Sequence, residues 1–282
     1  MSSIPPIRSA RVSGKRPPYR YYPLIMTMFV VVLLCSNLIG PGKSCAFNLH
    51  WDIVPDWSRD KGWFWTSLLV FGAGNLFFPI SYIFDDVLTE VYGYAQSRKV
   101  IWAGFGAMVF ATVMAQVVIH LPVDPNEPFN KLMQPALETC FGSGPRIIIA
   151  SMLAFWAGDF VNSYVMAKMK IWTGGRWLWT RTIGSTIAGE GLDSLIFYPI
   201  ALTSWKPLLA GIGVSNSDLL KVFDGWTAHE AVKIIIFNWV FKVLVEVIMT
   251  PVTYFVCGWL KKKENEDYYD RDTDFNPFSL KD

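Results

Sequence analysis

Six stretches of the 282-residue chain are predominantly apolar over about the length needed to cross a hydrocarbon core, ~20 residues at a helical rise of ~1.5 Å each. They run from Tyr21 to Ile39, Trp63 to Phe84, Val100 to Leu121, Arg146 to Met166, Ile183 to Leu202 and Val232 to Val256. Gly, Pro, Asn and Asp punctuate the intervening segments, as loops require. The pattern predicts an all-α integral membrane protein, a six-transmembrane-helix bundle. It divides the chain into a disordered basic tail over 1–20, a membrane domain over 21–260 and a C-terminal tail over 261–282.

The distribution of Lys and Arg orients the bundle, because cytoplasmic segments retain these residues preferentially. The two tails, the second-to-third loop and the fourth-to-fifth loop together hold 16 of them, against seven in the alternate loops. Both termini are therefore expected in the cytoplasm, in a bacterial inner membrane. Trp51, Trp57, Trp63 and Trp65 cluster near one expected interface and Trp172, Trp177 and Trp179 near the other, the placement that amphipathic rings favour. The basic segment from Arg8 to Arg20 before the first apolar run has the charge layout of a signal peptide. Its length, its prolines and the Gly40-Pro41-Gly42 that closes the run argue instead for a retained first helix.

Composition narrows the function. With 52% hydrophobic and 17% charged residues and a mean hydropathy of +0.31, the chain is unsuited to a fully hydrated surface. A net charge of +2 supplies no concentrated basic face, so nucleic acid is excluded as an expected partner. The four cysteines lack C-x-x-C spacing, and no metal or redox site is expected. Cys45 and Cys140 both fall in loops assigned outside, where either a bridge or two free thiols would be compatible with the sequence.

Polar residues inside the apolar stretches are the main candidates for function, since a charge at the centre of a bilayer helix costs roughly 2.5–3.5 kcal/mol on insertion scales. Asp159, Glu190, Asp193, Lys242 and Glu246 are such residues, with Asn75 and Asn162 as neutral companions. The segment Ala157-Gly158-Asp159-Phe160-Val161-Asn162-Ser163 is echoed 31 positions later by Ala188-Gly189-Glu190-Gly191-Leu192-Asp193-Ser194. In each copy the acid and the polar residue three places on share a helical face, and the preceding glycine permits close approach of a neighbour. A pair of helices presenting matched acceptors to a solute explains this better than polar glue alone. Lys242 and Glu246, spaced i, i+4, could neutralise one another or Lys242 could reach Asp159 or Asp193. Asp85 and Asp86 close the second stretch, where paired carboxylates are ordinarily solvated.

Enzyme motifs fail on inspection. His229 and Glu230 begin like a zinc-protease helix, but Lys233 occupies the place of the second histidine. Neither a nucleophile elbow nor a phosphate-binding loop is present. No cofactor is expected.

The run NLFFPISYIFDDVLTEVYGYAQSRKVIWAGF, from Asn75 to Phe105, resembles the queuosine-precursor transporters, also called the vitamin uptake transporter family. Similar stretches recur in RTIGSTIAGEGLDSLIFYPIAL, FKVLVEVIMTP and the terminal DYYDRDTDFNPF. The resemblance implies a six-helix bundle similar to the substrate-binding components of energy-coupling-factor transporters. It also implies a 7-deazaguanine cargo, either the 7-cyano compound or its aminomethyl relative. Asp193 matches the family's acid in the fifth span and Lys242 its lysine in the sixth, while Asp85, Thr89 and Glu90 fall in the most recognisable segment. The chain departs from the family's frequent Gln-then-Asp in the fourth span with Asp159 and Asn162, and carries Glu190 where an amide is common. Tyr82, Phe155, Trp156, Phe197 and Trp239 are candidate rings to stack on a flat base.

The expected substrate-binding set is therefore Asn75, Tyr82, Asp85, Glu90, Asp159, Asn162, Glu190, Asp193, Lys242 and Glu246. The chain is expected to import a nucleobase-like solute while contacting lipid. Two arrangements follow, a self-sufficient carrier, alone or as a homo-oligomer, and a binding subunit that depends on a separate ATPase module.

Overall fold

A computed structural model describes residues 19–39, 44–47, 69–72, 74–124, 126–142, 145–212, 225 and 227–279. The expected basic tail lies mostly outside these residues, as do Trp51 to Trp65. The described elements are α1 (Tyr22–Ile39), β1 (Ser44–Phe47), β2 (Leu69–Gly72), α2 (Gly74–Tyr92), α3 (Tyr94–His120), α4 (Pro128–Phe141), α5 (Pro145–Trp172), α6 (Leu178–Ala201), α7 (Lys206–Gly211) and α8 (Ala228–Glu264). Helices dominate, with one antiparallel ribbon in which Ser44 lies opposite Gly72 and Phe47 opposite Leu69.

Three helical segments, Tyr94–His120, Arg146–Trp172 and Ile235–Glu264, are long and apolar enough to cross a membrane, and Tyr22–Leu38 is a shorter apolar helix. Helices α2 and α6 each carry three charged residues, which lowers their mean hydropathy. All of these charges but the half-buried Asp193 are buried, and the exposed surface is apolar: Phe110, Leu195, Ile248 and Phe255 project outward while Asp86, Glu90 and Glu190 are fully enclosed. This inversion of the usual soluble pattern is what a hydrocarbon solvent imposes. The protein is a helical membrane protein.

The second element is displaced from its expected place. Where the sequence pattern suggested a span from Trp63 to Phe84, residues 69–72 are extended and the helix runs from Gly74 to Tyr92. Hydropathy stops at the carboxylates of Asp85 and Asp86, but the helix continues because other helices supply their hydrogen bonds. The reading of Asp85 and Asp86 as a solvated helix end is therefore corrected: they are 1% and 0% exposed. Gly93, at φ +85°, then turns the chain directly into α3, and a side chain there would run into the Tyr268 ring.

Helices α5 and α6 form the most extensive interface, joined by a tight turn in which Gly174 and Gly175 take positive φ. Their repeated Ala-Gly-acid segments meet at the crossing. A Cβ on Gly158 would lie 3.1 Å from both Cβ of Asp193 and the Gly189 carbonyl, and one on Gly189 would lie 2.8 Å from Cβ of Asn162. The two glycines let the backbones touch, as small residues do in membrane bundles. Helix α8 packs on α6 and α2, α1 on α2 and α3, and α3 on α5.

The first turn of α1 meets the last turn of α8. The backbone N–H groups of Arg20 and Tyr21 donate to the Glu264 carboxylate at 3.1 and 2.6 Å, placing negative charge at the α1 N-terminus. Trp172, Trp177 and Trp179 surround the α5–α6 turn and are exposed, as an interfacial role requires. Cys140 lies in α4, not in an irregular loop, and its thiol is free; the side chain of Cys45 on β1 lies outside the described ones.

Candidate functional site

Polar side chains line the bundle interior in three successive layers. The first joins the middle of α8 to α6. Lys242 donates to Oε2 of Glu190 at 2.5 Å and to Oδ2 of Asp193 at 3.0 Å, with its ammonium 6.0 Å from the centre of the Tyr82 ring. Glu190 and Asp193 sit three apart on one face of α6, so one ammonium engages both. Asp159 on α5, 2% exposed, is close enough to interact with Glu190, Asp193 and Lys242. Tyr82 faces the same three carboxylates. Of the two arrangements that the sequence left open for Lys242, neutralisation by Glu246 at i, i+4 does not form: the ammonium points across to α6, where it reaches Asp193.

Rings narrow the choice of stacking surfaces. Phe155 belongs to the apolar core with Phe29 and Leu33, and Trp156 packs against Trp102, Phe160 and Phe278. Phe197 packs edge-on against Tyr198. Trp239 lies against Gly191, its indole N–H held by the Ile187 carbonyl at 3.1 Å. Tyr82, Trp239 and Tyr198 thus border the first layer.

About one helical turn further along, the second layer gathers around α2. Asp85 accepts from Ser97 at 2.6 Å, from Asn162 at 3.0 Å and from Ser163 at 2.9 Å. The Asn162 amide also donates to Asp86 at 2.9 Å, and Thr89 donates to Ser163 at 3.1 Å. Asn162 therefore grips both aspartates from α5, which is why two adjacent carboxylates can stay buried on one helix. Glu246 reaches this layer from α8 and is 1% exposed. Neither of its carboxylate oxygens, nor Oδ2 of Asp86 or Oδ1 of Asn162, has a hydrogen-bond partner among the described residues.

The third layer is an ion cluster at the end where α1 begins and α8 finishes. Glu90 receives a two-pronged contact from Arg181, with Nε at 3.2 Å and Nη2 at 2.7 Å, and a further bond from Lys261 at 2.5 Å. Lys170 stands 3.6 Å from the same carboxylate and binds Asp267 at 2.6 Å. Glu90 is thus saturated by cations and separated from the first layer. Chain beyond α8 folds back over this end: the Tyr94 N–H donates to Asp270, and Arg98 donates to the carbonyls of Asp274 and Asn276 at 2.8 and 2.9 Å.

Sequence reasoning placed Tyr82, Asp159, Glu190, Asp193 and Lys242 together, and they meet. Asp85, Asn162 and Glu246 fall in the second layer and Glu90 in the third, while the Asn75 side chain lies outside the described residues. Arg181, Lys170, Lys261, Ser97 and Ser163 were missed as interior residues. Their signal was weak, since basic residues at a helix end read as loop charge and serines in apolar runs as filler.

Residues 72–256 match the family described as "Putative vitamin uptake transporter". Over 136 residues the chain is 35% identical to a protein of Bacillus subtilis (strain 168) named "Probable queuosine precursor transporter", a match covering 48% of this chain and 57% of that relative. The chain therefore spans little more than half the length of this curated relative. No solved structure matches. The family match encloses every residue of the first two layers and extends over well more than half of the chain. The protein belongs to the vitamin uptake transporter family, a family of transporters rather than enzymes.

Proposed function

We propose that the chain is a six-span importer of queuosine precursors, 7-cyano-7-deazaguanine or its aminomethyl relative. In this reading α1, α2, α3, α5, α6 and α8 cross the bacterial inner membrane, in a bundle similar to energy-coupling-factor substrate-binding components. Both termini are cytoplasmic, a placement supported by the contact of α1's first turn with α8's last. The charge asymmetry of the loops supports the same side.

The observation that carries the reading is Lys242 bridging Glu190 and Asp193 beneath Tyr82. A guanine-like edge presents adjacent N–H donors beside a carbonyl acceptor. A carboxylate accepts the donors as a pair, and an ammonium donates to the carbonyl. Glu190, Asp193 and Asp159 supply acceptors, Lys242 the donor, and Tyr82 or Trp239 a face for stacking. Without cargo the ammonium balances two acids that would otherwise be costly to bury. Bound cargo takes over part of that pairing. Asn162 supports the site by fixing Asp85 and Asp86, and Glu90 ties the helices at the cytoplasmic end.

The test is equilibrium binding of 7-cyano-7-deazaguanine, its aminomethyl relative, guanine and adenine to the purified protein, followed by uptake into liposomes containing this chain alone. Binding of the deazaguanines in preference to adenine, with uptake, is the expected result. Preference for adenine or no binding overturns the cargo. Binding without uptake makes the chain a binding subunit dependent on a separate ATPase.

A further inference from the structure

Six carboxyl groups from four helices line the first two layers: Asp85, Asp86, Asp159, Glu190, Asp193 and Glu246. Among the described residues the only cation bonded to any of them is Lys242, which serves Glu190 and Asp193. Asp85 is satisfied by a hydroxyl pair and an amide. Asp159 has the Lys242 ammonium close enough to interact with it, which leaves Asp86 and Glu246. They interact across the packed faces of α2 and α8, are 0% and 1% exposed, and hold three carboxylate oxygens without partners.

The surroundings of this pair are almost wholly acidic or neutral. Asp86 faces Glu246 from α8, Asn162 from α5 and Ser185 from α6, with Asp85 and Glu90 on its own helix and Cys257 further along α8. Glu246 faces Asp86 from α2 and Glu190 from α6, with Lys242 one turn back and turned away. Two enclosed, interacting carboxylates without a cation are costly to ionise together, so in this enclosed state the pair favours holding one positive charge between them. No group of three or more His, Cys, Asp or Glu placed to hold a metal ion occurs among the described residues. A proton needs only the two oxygens present.

We propose that Asp86 and Glu246 form a proton-binding pair that couples solute import to inward proton movement, an inference resting on the importer reading above. A proton arriving from the outer side bonds to one carboxylate oxygen of Glu246 and is shared with Oδ2 of Asp86. On the return to the inward-facing state that O–H bond breaks and the proton passes to cytoplasmic water. One proton moves per cycle, and no electron or other group is transferred. The pair lies between the cargo layer and the Glu90 ion cluster, and Glu190 belongs to the cargo layer while facing Glu246. Protonation of the pair therefore changes the charge seen by the cargo site.

The experiment uses the full chain in liposomes, with 7-cyano-7-deazaguanine as cargo and a proton gradient, acidic outside. Three quantities are read: gradient-driven accumulation, exchange of cargo across the membrane without a gradient, and the protonated-carboxyl band in infrared difference spectra across a pH step. Glu246→Gln and Asp86→Asn mimic the protonated groups. In both, accumulation under the gradient is expected to fall to the level that the same variant's gradient-free exchange gives, and the infrared band to be lost. Wild-type accumulation indifferent to the gradient, or a variant that still accumulates cargo in response to it, overturns the proposal. If one variant fails to fold, the other decides. Failure of the wild type to bind any deazaguanine overturns the importer reading instead, and the proton pair then stands or falls on whether Glu246→Gln or Asp86→Asn removes the infrared band.

Discussion

The Lys242 ammonium lies 2.5 Å from Oε2 of Glu190, a residue 52 positions earlier on a different helix. Its neighbour one turn along α8, Glu246, is left to another layer. This choice separates one cation-bearing site from one acid pair, and the two have different consequences when altered.

Lys242→Met should weaken 7-deazaguanine binding at least about tenfold, equivalent to ~1.4 kcal/mol, and should also lower stability because two enclosed acids lose their cation. The double variant Glu190→Gln with Lys242→Met is expected to recover much of the stability but not the binding. Isothermal titration and thermal unfolding in detergent separate the two effects. Undiminished binding by Lys242→Met would remove the residue from the site.

Glycines on the two sides of the bundle should behave oppositely. A side chain at Gly189 meets Asn162 and the Gly158 carbonyl at 2.8 Å, so Gly189→Leu forces α5 and α6 apart and should cost at least the ~1–3 kcal/mol typical of overpacking. It also displaces the Asn162 amide from Asp85 and Asp86. Gly258 on α8 has open space where a Cβ would stand, and Gly258→Ala should stabilise the helix by up to ~1 kcal/mol. Unfolding midpoints of the two variants, compared with wild type, check the contrast.

The ion cluster at Glu90 predicts an asymmetry between its partners. Arg181→Gln removes one cation but leaves Lys261 and Lys170, so the loss should resemble that of charged hydrogen bonds, ~1.5–3 kcal/mol. Glu90→Gln takes the shared carboxylate from three cations, leaving Lys170 and Lys261 only Asp267 and the buried Arg181 no acid, and should cost more, on the order of 3–5 kcal/mol. Chemical unfolding of both variants would expose the wrong order if the cluster were merely solvated.

Docking of the chain after α8 should respond to acid in two opposing ways. Burial pushes the Asp267 carboxyl up, but Lys170 and Lys261 outweigh it and hold the group below its ordinary value of 3.8. Its contribution is therefore present above about pH 3.8 and is lost as pH falls through the lower folded value. Asp270 is raised by burial, against the hydrogen bonds from Thr273 and the Tyr94 N–H, so its protonation on acidification favours docking. Protease protection of the tail, compared between Asp270→Asn and Asp267→Asn as pH is lowered, should weaken in the first variant relative to the second.

Much of the bundle is legible in the chain. The apolar stretches that became α1, α3, α5, α6 and α8 lie within a few residues of their helices at most ends, because lipid leaves a backbone no alternative to internal hydrogen bonding. The paired Ala-Gly-acid segments announced a close helix crossing lined with acids. The extent of α2 was not legible, since a window that averages hydropathy treats Asp85, Asp86 and Glu90 as an end.

By itself the sequence determined that the molecule belongs in a membrane, where most of its long helices run, which acids lie within them and which family it resembles. Only the tertiary structure decided which charges meet. A burial cost of several kcal/mol per ion demands a partner, but spacing names only candidates on the same helix. Whether Lys242 turns to Glu246 or to Glu190, and whether Asp85 and Asp86 face water or Asn162, depends on the side chains that α5, α6 and α8 bring alongside.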